Sequence, residues 1–339
     1  MPQLTVLLAV YNGAAYLCEA IESILQQTFS DFEFLIIDDC STDSSIEIVN
    51  GFNDKRIQLI CNAENIGLAA SLNKGIGLSK CNYIARMDAD DISDLRRLAV
   101  QFDFMKAHPE VGVCGTWVKT FGEGEVLEWQ YAANSDDIKC SLLFECPLAH
   151  PSVMLRRDVL LDNDIGYDEN LKVAQDYDLW VRLSDITKFA NIPSILYHYR
   201  LHAHQAGKLK ALEQSRLSMA IRNRLLSRFT SELTQADLII HEAISMRKYH
   251  QSKEFVVHAE KLLLQLLEHN MKKNIYPEPA FNNCLLTRWR DVCIQSTALG
   301  FWMFKKYYQS PFKRQFNNTD LWNIRFVLSC ATYNKIVTV

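Results

Sequence analysis

Leu4-Thr5-Val6-Leu7-Leu8-Ala9-Val10-Tyr11-Asn12-Gly13 is the stretch from which the fold can be read, because a nearly unbroken apolar run stops abruptly at a turn. A run of that length closed by a turn reads as a first strand, buried on both faces. Apolar positions then recur at helical spacing through residues 14–27 (Leu17, Ile21, Ile24, Leu25), so strand, turn and helix follow in order. The unit repeats along the chain. Residues 33–37 read as a strand ending in Asp38-Asp39, and Ser41-Thr42-Asp43 offers hydroxyl and carboxylate caps for a helix over 46–52. Residues 57–61 and 68–78 give a third strand and helix. Residues 83–87, which run straight into Asp88-Ala89-Asp90-Asp91, and residues 94–107 give a fourth. Such alternation predicts a largely parallel sheet covered on both faces, with ligands at the carboxyl ends of the strands. Tyr11-Asn12, Asp38-Asp39 and Asp88-Ala89-Asp90 all fall at strand ends on that edge, where they can converge on one ligand.

Beyond this region the pattern is less regular. A strand over 111–118, a turn at Gly122-Glu123-Gly124, a helix near 136–144 and a strand near 152–155 precede a helix over 176–184 carrying Leu179, Trp180 and Leu183. A short strand over 195–199 leads into Arg200-Leu201-His202-Ala203-His204-Gln205, and the domain boundary is expected just after it. The chain of 339 residues is longer than one compact core usually supports. We expect an α/β catalytic domain over 1–205 and a mainly helical appendage over 206–339, where Val256, Leu263, Leu264 and Leu267 share one helical face.

The net charge of -4 hides an asymmetry, since residues 1–205 hold 16 Lys/Arg against 30 Asp/Glu and residues 206–339 hold 20 against 10. An acidic half suits a site that holds cations, and a basic half suits an anionic partner or simply the acidic half itself. Residues 301–316 interleave Trp302, Phe304, Tyr307, Tyr308, Phe312 and Phe316 with Lys305, Lys306, Lys313 and Arg314. That mixture suits an anionic membrane surface or a packed helix with snorkelling lysines. Ten cysteines show no CxxC pair and read as reduced, small core residues of a cytoplasmic protein. The first apolar run lacks a basic lead and is far shorter than the roughly 20 residues that span a bilayer.

Arg86-Met87-Asp88-Ala89-Asp90-Asp91 places carboxylates one residue apart at a strand end, where they can present oxygens to a hard divalent cation that also binds phosphates. In order along the chain stand Leu4 to Asn12, Ile37-Asp38-Asp39-Cys40-Ser41-Thr42-Asp43, Asn65-Ile66-Gly67 with Asn73-Lys74-Gly75, Ala85-Arg86-Met87-Asp88-Ala89-Asp90-Asp91 and Gln175-Asp176-Tyr177-Asp178-Leu179-Trp180. This series resembles the family 2 inverting glycosyltransferases of bacterial polysaccharide biosynthesis, over about residues 3–205. The resemblance implies a GT-A fold, a Rossmann-like α/β/α sandwich. It also implies transfer of a hexose or N-acetylhexosamine from a nucleotide diphosphate sugar, UDP-sugar preferred, to a hydroxyl of a glycan or lipid-linked acceptor in surface polysaccharide synthesis, with Mn²⁺ or Mg²⁺ as cofactor.

Residue by residue, the resemblance lays Tyr11 against the nucleobase, gives Asp39 a hydrogen bond from it and makes Asp38 the support of Asp39. A uracil N3–H is a donor that a carboxylate can read. Ala9, Asn12, Asn65, Gly67, Asn73, Arg86 and Ala89 belong by the same resemblance to the nucleotide's surroundings. Asp88 would meet the ribose or the metal shell, Asp90 would bind the metal, and His202 would complete the site, with His204 as competitor. Asp176 is implied as the general base that takes the acceptor proton in a single inverting displacement, and Asp178 is its rival. His150-Pro151-Ser152-Val153-Met154 resembles a segment on the acceptor side.

Three positions depart from the family pattern: Ala9 where proline is common, Cys40 where glycine is common, and Gln175 where an acid is commoner. Cys40 would be strained if its backbone needs positive φ, and the missing charge at Gln175 would leave Asp176 somewhat less basic. No GxGxxG follows the first strand and no Walker loop is present, which excludes nicotinamide and P-loop ATP chemistry of the usual kinds. A sugar nucleotidyltransferase and a non-catalytic nucleotide-sugar-binding member are the alternatives. Beyond donor and acceptor, the implied partner is an anionic membrane surface on the inner face, met by the basic-aromatic segment; nucleic acid is not expected.

Overall fold

The computed structural model describes residues 2–203, 205, 210–230, 232–315 and 326–331. His204, Phe316 and the start of the expected appendage at 206–209 lie outside the described residues.

Among the described residues nine strands form one sheet: β1 (Leu4–Val10), β2 (Phe32–Asp38), β3 (Ile57–Cys61), β4 (Tyr83–Met87), β5 (Ile92–Ser93), β6 (Val111–Gly122), β7 (Glu128–Trp129), β8 (Met154–Arg156) and β9 (Lys188–Leu201). The order is β3-β2-β1-β4-β8-β6-β9-β5, with β7 paired to β6. The half built from the first four strands is parallel, as the alternating units require. The expectation of a largely parallel sheet is corrected beyond β4. There β8 runs antiparallel to both β4 and β6, β9 is parallel to β6, and β5 closes the row antiparallel to β9. The expected short strand at 195–199 is part of a 14-residue β9 that contains Pro193. Proline is tolerated because the register with β6 slips between Thr116 and Trp117, where Ile192 pairs with the first and Ile195 with the second.

The helices α1 (Leu17–Leu25), α2 (Ser45–Asn50), α3 (Leu68–Leu78), α4 (Arg97–Ala107), α5 (Ser135–Ser141), α6 (Arg157–Leu161) and α7 (Gln175–Leu183) complete this part. Leu17, Ile21 and Ile24 of α1 join Val6, Leu8, Phe34, Ile36 and Met87 of the strands in one buried cluster. A fully buried aliphatic or Phe side chain adds about 1.5–3 kcal/mol, so the sheet-helix interface holds the strand ends in fixed positions.

The chain divides into two compact units, residues 1–138 with 146–218, and residues 139–145 with 219–339. The second unit is helical, and its segments include α9 (Gln235–Ser245), α10 (Lys253–Lys273), α11 (Ala280–Gln295), α12 (Phe301–Gln309) and α13 (Pro311–Gln315), with α8 (Ala211–Leu226) leading into it. Leu263, Phe281, Trp289, Tyr307 and Phe312 are buried in it. Thr234 and Asp237 form a reciprocal capping box at the start of α9. Among the described residues no helix is long and apolar enough to cross a membrane.

Candidate functional site

The turn after β1 and the turn after β2 are built as one object. Asn12 sits at φ 53°, and its Oδ1 accepts from the backbone N–H of Thr42 at 2.8 Å, while its own N–H donates to Ser41 Oγ at 2.9 Å. Asp43 Oδ2 accepts from Ala14 N–H and Ser45 Oγ from Gly13 N–H, so the two strand ends are laced together. Asn12 therefore serves the shape of the nucleotide-side loop, and Tyr11 beside it is 53% exposed, free to meet a planar ring. Ala9 is aligned with Ile37 in the β1–β2 ladder.

Asp38 and Asp39 are both buried. Asp38 Oδ2 accepts from Ser41 N–H at 2.9 Å, which tightens the turn. Asp39 holds the segment after β3: Oδ1 accepts from Asn62 Nδ2 and Ile66 N–H, and Oδ2 from Gly67 N–H at 2.8 Å. Charge-assisted bonds of this kind are about twice as strong as neutral ones, and Oδ2 keeps one lone pair in reserve. Asn65 Nδ2 reaches Asp39 O at 3.2 Å, and Lys74 Nζ holds Asn62 Oδ1 at 2.6 Å. Gly67 has φ 90°, and a Cβ there would meet no atom within 4 Å, which leaves its backbone open to a close approach. Asn73 is spent elsewhere, since its amide donates to Tyr167 O and Glu169 Oε1 while Oδ1 accepts from Tyr167 N–H. Its place is that of a clamp on the 166–169 segment, outside the cavity lining.

Asp88, Asp90 and Asp91 present ligand oxygens within 4.8 Å of one another. Burial and mutual repulsion push the carboxyls of Asp88 and Asp91 upward, Asp91 strongly. Asp88 forms an ion pair with the buried Arg86. Asp90 Oδ2 meets His202 Nε2 at 2.9 Å, so the late histidine does reach the acidic loop, and its ring lies 4.9 Å from that of Tyr16. Ala89 lies half-buried between the two acids. Sequence reasoning missed Arg200, which donates from its backbone to Asp91 Oδ1 and from Nε to Asp90 O, both at 2.7 Å, and pairs with Glu19. Its position two residues before His202 was the available clue.

Asp176 lies in the first turn of α7, which begins from Ala174 in a left-handed conformation, φ 58°. Its carboxyl is pushed upward, first by burial, against the pull of the Tyr177 N–H and of Arg86. Cys146 Sγ lies 3.8 Å from Asp176 Oδ2. Asp178, the rival, is buried against Arg182 Nε at 2.7 Å in an i,i+4 ion pair. A cavity of about 420 Å³ is lined by Arg86, Asp88, Asp90, Trp129, His150 and Asp176, among others, and not by Asp178. Its size suits a cofactor-sized ligand. His150 Nε2 bonds Tyr167 Oη at 2.8 Å, and burial holds the imidazole well below its usual range, hence neutral. Trp129 and Tyr131 had no sequence pattern to betray them, since neither sits in a motif.

An α/β sheet whose strand ends gather an open glycine backbone, an exposed tyrosine, an acidic triplet and a separate buried carboxylate defines a class of enzyme that handles phosphorylated nucleotides. The family model described as glycosyl transferase family 2 matches residues 5–163. The O-antigen biosynthesis glycosyltransferase WbnJ of Escherichia coli is 31% identical over 217 residues, covering 61% of this chain and 83% of that protein. The structure of S. aureus TarS 1–349 in complex with UDP-GlcNAc is similar at TM-score 0.56 and 17% identity, covering 99% of this chain and 92% of that one. The mannosyltransferase PcManGT from Pyrobaculum calidifontis, in complex with GDP-Man and Mn²⁺, is similar at TM-score 0.52 and 15% identity, covering 100% and 88%. The chain belongs to glycosyl transferase family 2 and is a glycosyltransferase with the GT-A fold.

Proposed function

We propose that the protein transfers a hexose or N-acetylhexosamine, with inversion, from a nucleotide diphosphate sugar to a hydroxyl of a glycan or lipid-linked acceptor in surface polysaccharide synthesis. The observation that carries this is the shared cavity: Asp88 and Asp90 line it together with Asp176, whose carboxyl is held above the usual carboxylate range by burial. One side offers oxygens for a cation and a diphosphate, the other a base for an acceptor hydroxyl. UDP is the preferred carrier, since the free lone pair of Asp39 Oδ2 suits the uracil N3–H and Tyr11 suits its face.

The donor set fits a hard divalent cation, Mn²⁺ or Mg²⁺. Three carboxylates crowded this closely form a repulsive cluster that positive charge relieves, and His202 adds a nitrogen beside Asp90. Asp90 and His202 would hold the ion, with Asp88 in its shell. When bound, it supplies Lewis-acid stabilisation of the charge on the departing diphosphate. Arg200 keeps Asp90 and Asp91 in place from β9. Tyr11, Gly67 and the loop laced by Asn12 and Asp39 bind and orient the nucleotide. Asp176 accepts the acceptor proton at its carboxylate as the hydroxyl oxygen attacks the anomeric carbon from the face opposite the diphosphate. Residues 206–339 serve acceptor, membrane-surface or oligomer contacts in this reading.

The test is a screen of UDP- and GDP-sugars with purified protein and Mn²⁺ or Mg²⁺, following nucleoside diphosphate release with and without chelator. Chelator-sensitive UDP release from one donor is expected. Failure of every nucleotide sugar both to bind and to react would overturn the proposal.

A further inference from the structure

Arg86, in β4, is 3% exposed, yet it lines the cavity. A buried guanidinium is costly unless its donors are satisfied, and nearly all buried polar groups in folded proteins are. Nη2 is used by Asp88. Nε and Nη1 have no hydrogen-bond partner among the described residues. The nearby Tyr167 hydroxyl is bonded to His150. Arg86 thus lines, with two buried donors that no described residue uses, a cavity whose other walls carry Asp88 and Asp176, and its charge is felt at both carboxylates.

Position narrows what those donors meet. In the donor reading on which this inference rests, Asp88 belongs with the metal and diphosphate and Asp176 with the acceptor hydroxyl. The atom that passes from one side to the other is the anomeric carbon, so the sugar ring must lie between them, beside Arg86. Charge narrows it further. Arg86 is already neutralised by Asp88, and a second carboxylate there would add to a set of acids that repel one another. The open N–H groups therefore suit neutral oxygens.

We propose that Arg86 reads the transferred sugar. Its Nε–H and Nη1–H bind hydroxyl or N-acetyl oxygens of a neutral hexose while Nη2 stays on Asp88, so the residue sets donor specificity and positions the ring for attack. A uronic acid donor is selected against by the same pairing.

The experiment is calorimetric titration of the full chain, in Mn²⁺, with UDP, a neutral UDP-hexose panel and UDP-glucuronate, for the wild type and Arg86→Lys. Hydrogen bonds from a charged donor set the scale, so Arg86→Lys is expected to weaken the best neutral UDP-sugar by about tenfold or more while leaving UDP within about twofold. Equal losses for UDP and UDP-sugar would place Arg86 on the diphosphate and overturn the inference, as would no loss at all. Because a buried substitution can impair folding, the wild type is also titrated with deoxy analogues of its best donor. At least one deoxygenation should cost about tenfold, and indifference to every one of them sinks the idea. A wild type that binds neither UDP, GDP nor their sugars fails the donor reading itself, whereas a wild type that binds them with no role for Arg86 fails this inference alone.

Discussion

At φ 64°, Cys40 occupies backbone that side chains avoid, on the loop that Asn12 and Asp39 hold in place. A left-handed conformation costs a non-glycine residue roughly 1–2 kcal/mol, and glycine returns about 0.5–1 of that through its freedom in the unfolded chain. Cys40→Gly is therefore expected to raise the melting temperature, by about 0.5–1 kcal/mol of stability; a fall in a thermal scan would show that the weak Sγ contact to Ala63 O matters more than the strain. Asp176 trades the other way. Asp176→Asn should cut turnover by about 10²-fold or more, as loss of a general base does, while nucleotide binding persists; normal turnover in the variant would move the base elsewhere. The sign of its pH dependence follows from the raised carboxyl. Activity should climb as pH rises and level off only above a pKa higher than the usual value of about 3.9. A folded-state pKa above the unfolded one means that stability is lost as pH rises through that window, because the folded state gives up its proton last. Asp176→Asn should consequently melt higher than the wild type at neutral pH, with the gain shrinking toward acid where both forms are uncharged. A variant that is both inactive and less stable at neutral pH would contradict the burial argument.

Helix α3 meets β1 at Gly75, where an added Cβ would fall among the side-chain atoms of Leu7, itself 2% exposed. Overpacking a strand-helix seam costs about 1–3 kcal/mol, against about 1 kcal/mol that alanine returns in a helix interior. Gly75→Ala should lower the denaturant midpoint, and a rise would mean that Leu7 has room to turn aside. The motif Asn73-Lys74-Gly75 was legible as a pattern, but its service is structural: Asn73 clamps 166–169, Lys74 steadies Asn62, and Gly75 lets the helix approach. The parallel half of the sheet could be read from sequence because each strand there is a short apolar run ended by a turn. β9 could not, because Pro193 marks a bulge within a strand rather than a break between strands. Likewise the acids at strand ends announced themselves by spacing, whereas Arg200, Trp129 and Tyr131 reach the site through the long pairing of β6 with β9 and β7. That geometry has no local signature. Asp176 was already preferred to Asp178 from its place in the motif, and the structure adds that Asp178 is paired with Arg182 while Asp176 lines the cavity.

Over the whole chain the charge falls into an acidic half, 16 Lys/Arg against 30 Asp/Glu, and a basic half, 20 against 10. The basic-aromatic segment near the end divides in the same spirit. Met303, Tyr307 and Phe312 are buried, Tyr307 against Phe326 and Phe312 against Trp289, and Lys306 pairs with Glu260. Half of the pattern thus belongs to the core of the helical unit. What α12 leaves outside is Phe301, 65% exposed, with Lys305 and Tyr308. An exposed aromatic beside a lysine suits the headgroup region of an anionic bilayer, where each basic residue near the surface adds about 1 kcal/mol. Phe301→Glu with Lys305→Glu changes only exposed positions, so the core just described should survive, as an unaltered melting curve would verify. In cosedimentation with phosphatidylserine-containing vesicles, the wild type should bind at low salt and release as salt rises. The double variant should bind at least about tenfold more weakly, since it replaces an attraction of about 1 kcal/mol by a repulsion of similar size and removes the apolar anchor. Equal binding by both proteins would reject this face as a membrane surface and leave residues 206–339 to acceptor or oligomer contacts.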